Sequence, residues 1–140
     1  MPMMFTAPVL TFSRLELNPG FKNGEQGLNA DLHFHHSASK LDNQNAAIVA
    51  IRLQINQKDE KKIQDAPFWL EVEYAAQFSW TEDMAVETID NYLRTNASAV
   101  LIGYIRPLVA ALTSASPLPT YTLPFINVVD LFKAATGKET

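Results

Sequence analysis

The sequence contains no cysteine among its 140 residues, so disulfide bonds, thiol nucleophiles and thiolate-bound zinc are all excluded. Glycine is scarce, and the five glycines are scattered instead of forming a phosphate-binding loop. No GxSxG, HExxH or dinucleotide-binding pattern is present. The sequence therefore offers little support for an enzyme, and it predicts no cofactor.

Charge is also low, since only 19% of the residues are charged, and acidic residues outnumber basic ones by 15 to 11. A net charge of −4 has the wrong sign for binding a phosphate backbone, so we expect no nucleic-acid partner. The longest uninterrupted apolar run, Ala99 to Ile105, is far short of the roughly 20 residues of a membrane span. No basic residue precedes Arg14, which is atypical of a secretory signal, and we expect a cytoplasmic protein.

What the sequence does have is apolar and aromatic residues. Hydrophobic residues make up 47% of the chain, enough for the core of one domain over residues 1–140. Eight Phe, four Tyr and two Trp are more rings than a core of this size needs. Such surplus rings are typical of subunit contacts and binding grooves.

Alternating apolar and polar residues predict four strands joined by short connections, and hence one antiparallel sheet with a single apolar face. The longest strand is expected to bend or bulge near Ala75 and Ala76. The predicted strands are Val9–Leu17, Leu28–His36, Ala47–Ile55 and Phe68–Trp80.

Helical spacing of apolar residues follows the last strand and predicts a long helix that covers the sheet. Asn96 is expected to cap this helix, which ends near Ser114, and Pro107 is expected to bend it. A short helix, Val128–Ala135, is predicted after the capping residue Asn127. The predicted fold class is α+β, with strands first and helices last.

Three histidines lie together, and on a strand His33 and His35 share one face with Asp31. One carboxylate and two imidazoles are a possible metal or catalytic set. The alternative is a polar strand face in contact with solvent. Both interpretations stay open at this point. The solvent-facing strand is favoured, because all three side chains come from one strand and no further ligand is identified.

Glu71 and Glu73 share a face of the longest strand with Trp69. Two neighbouring carboxylates form an acid/base pair if they are buried. Facing outward, they instead form an acidic docking surface with one aromatic anchor, or an ordinary polar sheet face.

Three prolines stiffen the segment that follows the long helix, residues 117–125. Its alternate side chains, Tyr121, Leu123 and Phe125, are placed to line a groove against the sheet. The alternative is that the segment only connects two helices and fills the core.

Three motifs resemble the SecB family of export chaperones. They are Phe68-Trp69-Leu70-Glu71-Val72-Glu73 leading to Phe78, then Val100 to Arg106, then Leu118-Pro119 through Leu123-Pro124 with Ile126-Asn127. The resemblance covers most of residues 67–132, and the order of elements agrees over the whole chain.

The resemblance implies an ATP-independent chaperone that assembles as a homotetramer, a dimer of dimers. It would hold unfolded precursor polypeptides in apolar grooves and pass them to the translocase motor SecA through the sheet face of Trp69, Glu71 and Glu73. Some relatives instead guard the antitoxin of a toxin–antitoxin system. The family's metal-binding tail is not matched by Ala135 to Thr140, so no metal is expected.

The candidate client-binding residues are aromatic or large apolar side chains on the long strand, the helix and the proline-rich segment: Trp69, Phe78, Trp80, Tyr104, Leu118, Tyr121, Leu123 and Phe125. Two alternatives are retained. One is a small-molecule binder or enzyme that uses His33 and His35, and the other is an adaptor that keeps the fold without binding clients.

Overall fold

The structure is a computed structural model that describes residues 3–21, 30–81 and 83–132. The strands are β1 (Met4–Phe5), β2 (Val9–Leu17), β3 (Leu32–Lys40), β4 (Ala46–Ile55), β5 (Gln57–Lys58), β6 (Lys61–Lys62) and β7 (Phe68–Ser79). The main sheet is antiparallel, with the order β1-β7-β4-β3 and with β2 also paired to β7. A separate two-stranded hairpin, β5–β6, follows β4.

The predicted α+β architecture is confirmed, with three corrections to the strands. The second long strand was predicted at Leu28–His36, but β3 runs from Leu32 to Lys40, and Leu28 lies outside the described residues. The connection between Ile55 and Phe68, predicted only as a short link between strands, contains the hairpin β5–β6. The two-residue strand β1 was not predicted.

The expected bulge lies in a different strand. β7 pairs with β4 in one unbroken register from Ser79 to Leu70, so no bulge occurs at Ala75 or Ala76. The register shifts instead in β2, between Leu10 and Phe12, where that strand pairs with β7. The central strand β7 is hydrogen-bonded to strands on both sides, so an extra residue there would disturb two sets of hydrogen bonds. An extra residue in an edge strand disturbs only one set.

One face of the sheet carries the core, as the alternation predicted. The helix-facing side chains of β4 and β7 are almost completely buried because every second residue there is apolar. They are Ala47, Val49, Ile51, Leu53 and Ile55 of β4, and Phe68, Leu70, Val72, Ala76 and Phe78 of β7. We call the other side of the sheet the open face.

The long helix begins earlier than predicted. It consists of α1 (Val86–Asn91), a π-helical turn (Tyr92–Asn96) and α2 (Ala97–Ser114). Asn96 was expected to be the N-cap, but it has helical dihedral angles and makes no capping hydrogen bond because the helix continues through it. Pro107 lies inside α2, as predicted.

The stretch Val86–Ser114 is long and apolar enough, by length and composition alone, to cross a membrane. Uninterrupted apolar runs do not reveal this stretch, because polar residues such as Arg94 and Arg106 interrupt it. In the structure the buried side chains of this helix, including Leu101, Ile105 and Val109, belong to the same core cluster as β4 and β7. Packing on the sheet therefore accounts for its apolar character.

After the helix, an extended segment crosses back along the sheet, and residues 128–132 are helical. The side chain of Asn127 accepts a hydrogen bond from the backbone N–H of Asp130 at 3.2 Å, which confirms the predicted cap. The predicted end of this helix, Ala135, lies outside the described residues.

Candidate functional site

An apolar cavity of about 460 Å³ opens where the end of β2 meets the chain leaving α2. The turn after β2, the residue before β7 and the proline-rich segment each contribute walls to it. Its lining residues are Leu17, Asn18, Pro19, Phe21, Pro67, Pro117 and Leu118. Of these, only Leu118 was among the predicted client-binding residues.

Asn18 holds the turn that forms one wall of this cavity. Its side-chain N–H groups donate to the carbonyls of Gln64 and Ala66, both at 2.8 Å, and its side-chain oxygen accepts from the backbone N–H of Gly20 at 3.0 Å. The residues Asn18-Pro19-Gly20 are typical of a turn. The distant residues that Asn18 ties together carry no local signal for this role.

Several hydrogen bonds fix the proline-rich segment to the helix. The hydroxyl of Thr113 accepts a hydrogen bond from the backbone N–H of Tyr121 at 2.9 Å. The guanidinium of Arg106 donates to the carbonyls of Leu123 and Pro124. These contacts bury Leu123, which is 2% exposed, and leave Phe125 87% exposed.

Two tyrosines lie between the core and the surface. The ring of Tyr121 is 6.2 Å from that of Phe68, and burial raises the pKa of the Tyr121 phenol. The ring of Tyr104 on α2 is 5.9 Å from that of Tyr74 on β7, and Tyr104 remains 43% exposed. Tyr104, one of the predicted client-binding residues, thus reaches the surface.

Other predicted client-binding residues have different surroundings. Phe78 and Leu123 are buried in the core, so their side chains are not available on the surface. Trp80 is partly buried and packs against the same core. Trp69 lies on the open face, where its indole N–H donates to the carbonyl of Ile63 at 2.8 Å. The predicted set therefore does not form one continuous surface.

The open face is not the acidic surface that the sequence suggested. Glu71 was expected to face outward, but it is 7% exposed beneath the hairpin β5–β6. It lies 2.7 Å from Arg52 and 4.0 Å from Arg14, and it accepts a hydrogen bond from Gln57. Glu73 lies 3.4 Å from Arg52.

The ion pairs of this face form one connected network of three positive and three negative side chains. Lys62 is 2.7 Å from Glu16, and its hydrogen bond lowers the pKa of the Glu16 carboxyl. The network then continues through Arg14 and Arg52 in the order Lys62, Glu16, Arg14, Glu71, Arg52, Glu73. Its formal charges balance.

The structure does not assemble the histidine set. His33 lies 3.0 Å from Asp31, whereas His35 is hydrogen-bonded to Gln54 at 2.8 Å. His36 lies on the other side of β3, where its ring bonds to the carbonyl of Leu93 at 2.9 Å. Within residues 3–21, 30–81 and 83–132, no three such side chains are grouped so that they could hold a metal ion.

Comparison with known proteins identifies relatives of this fold. The family model "SecB: Preprotein translocase subunit SecB" matches residues 10–139. The structure is similar to that of the SecB-like chaperone Rv1957 of Mycobacterium tuberculosis, solved in complex with a ChAD peptide from the antitoxin Rv1956 HigA1. The TM-score is 0.70 at 26% identity, over 90% of this chain and 91% of that one.

A curated relative is the uncharacterized protein MJ0357 of Methanocaldococcus jannaschii, which is 28% identical over 79 residues. The match covers 56% of this chain and 50% of that protein. The matched region thus spans about half the length of this relative.

Proposed function

The chain belongs to the SecB family, and we propose that it is an ATP-independent chaperone that holds non-native polypeptides on its apolar surface. The observation that carries this proposal is the cavity bounded by Leu17, Phe21 and Leu118, together with the exposed ring of Phe125 on the segment that leaves it. Such a surface removes apolar side chains of a client from water. It requires no catalytic group and no cofactor.

The stiffness of the cavity walls supports the same function. Ordering a bound chain costs conformational entropy, and a binding surface that is already rigid does not add to this cost. Pro19, Pro67 and Pro117 all line the cavity. Each fixes its own φ angle, so the walls are largely preformed.

Light scattering tests this function directly. A denatured reporter protein is diluted into buffer that contains the chaperone and no nucleotide. We expect aggregation to be suppressed at chaperone concentrations near that of the reporter. If a large molar excess leaves the scattering unchanged, the chaperone proposal is wrong.

The client is proposed to be either an exported precursor or an antitoxin. The similarity to Rv1957, which was solved with an antitoxin peptide, favours the antitoxin role. Export requires transfer to SecA, and the charge-balanced open face, with Glu71 buried, supports that role less well. Titrating the purified chain with SecA and, separately, with a peptide from an antitoxin distinguishes the two roles.

The chaperone is further proposed to be a cytoplasmic homotetramer. The solvent-exposed side of α2 supports assembly because Ala99, Gly103, Pro107 and Ala111 place only small or apolar groups there, without charge. A face of this kind is suited to close packing against another copy of the chain. Analytical ultracentrifugation tests the assembly, and a monomer at micromolar concentration would contradict it.

A further inference from the structure

A polar cavity of about 580 Å³ lies on the open face, between the main sheet and the hairpin β5–β6. Side chains of β2, β3, β4 and β7 form its floor, and the hairpin forms its roof. Its volume falls within the range of roughly 300–1,000 Å³ that is typical of small-molecule sites. The charged residues of the floor are Arg14, Arg52 and Glu71, and those of the roof are Asp59, Glu60 and Lys62.

Buried amide side chains fix the roof to the sheet. The side chain of Gln54, which is 4% exposed, donates to the carbonyl of Asp59 at 2.8 Å and accepts from the backbone N–H of Asp59 at 3.1 Å. Gln57, which is 1% exposed, donates to the carboxylate of Glu71. These hydrogen bonds hold the turn of the hairpin above the floor, so the cavity is preformed.

The floor offers hydrogen-bond donors that no described neighbour uses. The carboxylates of Glu16 and Glu71 lie 3.9 and 4.0 Å from the guanidinium of Arg14, too far for a hydrogen bond. Arg52 donates to Glu71 only through Nη1, at 2.7 Å, and its guanidinium carbon lies 5.0 Å from the centre of the Phe12 ring. The ion-pair network of the open face is charge-balanced, so the floor suits a carboxylate through these free N–H groups and not through excess charge.

The roof offers acceptors instead. Asp59 and Glu60 are exposed, and neither forms an ion pair within the part of the chain that the structure describes. Lys62, in contrast, is already paired with the sheet at 2.7 Å. Because the backbone of Asp59 fixes the Gln54 amide, the Gln54 oxygen accepts from Nε2 of His35 at 2.8 Å, and the neutral His35 ring keeps Nδ1 as an acceptor. Two carboxylates and one ring nitrogen thus suit an ammonium group.

We propose that this cavity binds a small zwitterion, a molecule that carries one carboxylate and one ammonium group. The carboxylate lies beside Arg14 and Arg52, and the ammonium group lies beside Asp59 and Glu60. Hydrogen bonds between charged groups of this kind are stronger than neutral ones. A simple anion such as phosphate fits less well, because the two carboxylates of the roof repel it. The proposal does not depend on the chaperone function.

Isothermal titration calorimetry on the full chain tests the need for both charges. The probes are γ-aminobutyrate, butyrate and butylamine, which have the same carbon chain and differ only in their charged groups. We expect γ-aminobutyrate to bind at least about threefold more tightly than either of the others, because it alone contacts both the floor and the roof. Glycine and ε-aminocaproate, each compared with its own acid and amine analogues, cover shorter and longer separations of the two charges.

A variant of the floor tests the carboxylate end. Arg14→Gln should weaken binding of γ-aminobutyrate by about threefold to tenfold and leave binding of butylamine almost unchanged. The Arg14 side chain is 48% exposed and forms no hydrogen bond with another described residue, so the urea midpoint should stay the same. Arg94→Gln is the matched control because it removes one exposed positive charge from the helix.

A variant of the roof tests the ammonium end. Asp59→Asn/Glu60→Gln should weaken binding of butylamine and strengthen binding of butyrate, because the attraction for one and the repulsion of the other are both removed. Asn keeps the positive φ of 57° at position 59 accessible. The control Asp83→Asn/Glu87→Gln makes the same chemical change at exposed positions away from the hairpin and should alter neither affinity.

Three results would overturn the proposal. The first is that no amino acid of the series binds more tightly than both its acid and its amine analogue. The second is equal weakening of γ-aminobutyrate binding by Arg14→Gln and Arg94→Gln, which would indicate a general effect of net charge. The third is that inorganic phosphate displaces γ-aminobutyrate and binds more tightly, which would indicate a site for simple anions.

Discussion

The guanidinium group of Arg52 donates a hydrogen bond of 2.7 Å to the carboxylate of Glu71 on the open face of the sheet. Glu71 is 7% exposed and also accepts a hydrogen bond from Gln57 of the hairpin. A buried carboxylate without such partners would be strongly unfavourable. The hydrogen bond from Gln57 therefore ties the hairpin β5–β6 to Glu71 and so to the sheet.

Glu71→Gln is expected to lower the free energy of unfolding by about 1–3 kcal/mol, because the amide keeps the shape but loses the charge that faces Arg52. The estimate is below that for a fully buried pair, since the Arg52 side chain is 38% exposed and retains Glu73. Urea unfolding gives the measurement. Glu73→Gln is the control and should cost less than about 1 kcal/mol; equal losses for the two variants would contradict this account.

Phe125 and Leu123 offer a matched pair for separating client binding from stability. Phe125 is 87% exposed, so Phe125→Ser should leave the unfolding midpoint almost unchanged and weaken the suppression of aggregation severalfold. Leu123 is 2% exposed, so Leu123→Ala should cost about 2–4 kcal/mol of stability. Urea unfolding and light scattering of the same samples measure both effects. If the Phe125→Ser variant suppresses aggregation as well as the unmodified chain does, Phe125 does not contact the client.

The strand pattern could be predicted because burial in a sheet repeats every two residues. From Ala47 to Ile55 and from Phe68 to Phe78 every second side chain is apolar or aromatic, and all of these except the partly buried Tyr74 are buried in the core. The start of the helix could not be predicted in the same way. Residues 86–91 are mostly exposed and lack a strong apolar stripe, and the π-helical turn at Tyr92–Asn96 shifts the helical period.

The site was less predictable than the fold because it depends on contacts between distant parts of the chain. Strand alternation correctly placed Glu71 on the open face, but burial there comes from the hairpin that folds over it. Leu17 and Leu118 line one cavity although they come from opposite ends of the domain. Tyr121, Leu123 and Phe125 were predicted to line one groove, but Leu123 is buried and Phe125 is exposed, and the hydrogen bonds that fix the segment to the helix carry no local signal in the sequence.

Asn18→Ala is expected to destabilise the protein by about 1–3 kcal/mol and to loosen the wall of the apolar cavity. The substitution removes two hydrogen bonds to the carbonyls of Gln64 and Ala66 and one from the backbone N–H of Gly20. Thermal unfolding measures the loss. The control is Asn45→Ala, since the exposed Asn45 makes no side-chain hydrogen bond within the described residues. Equal stability of the two variants would show that the turn holds without Asn18.

Stability at alkaline pH is expected to depend on Tyr92 and Tyr121. Burial raises the pKa of both phenols above the ordinary value of 10.0, so the folded chain keeps these protons where the unfolded chain releases them. Their contribution to stability is complete below about pH 10 and is lost as the pH rises through the raised pKa values.

The double variant Tyr92→Phe/Tyr121→Phe has no phenol at these positions to ionise, so its stability should fall less between neutral pH and pH 11 than that of the unmodified chain. Neither phenol oxygen forms a hydrogen bond with another described residue, so the substitution removes no such bond in the folded state. The measurement is the urea midpoint at a series of pH values. Tyr104→Phe, which removes the phenol of a ring that is 43% exposed, is the matched control. If the urea midpoint of the double variant falls as steeply with pH as that of the unmodified chain, another group controls alkaline unfolding.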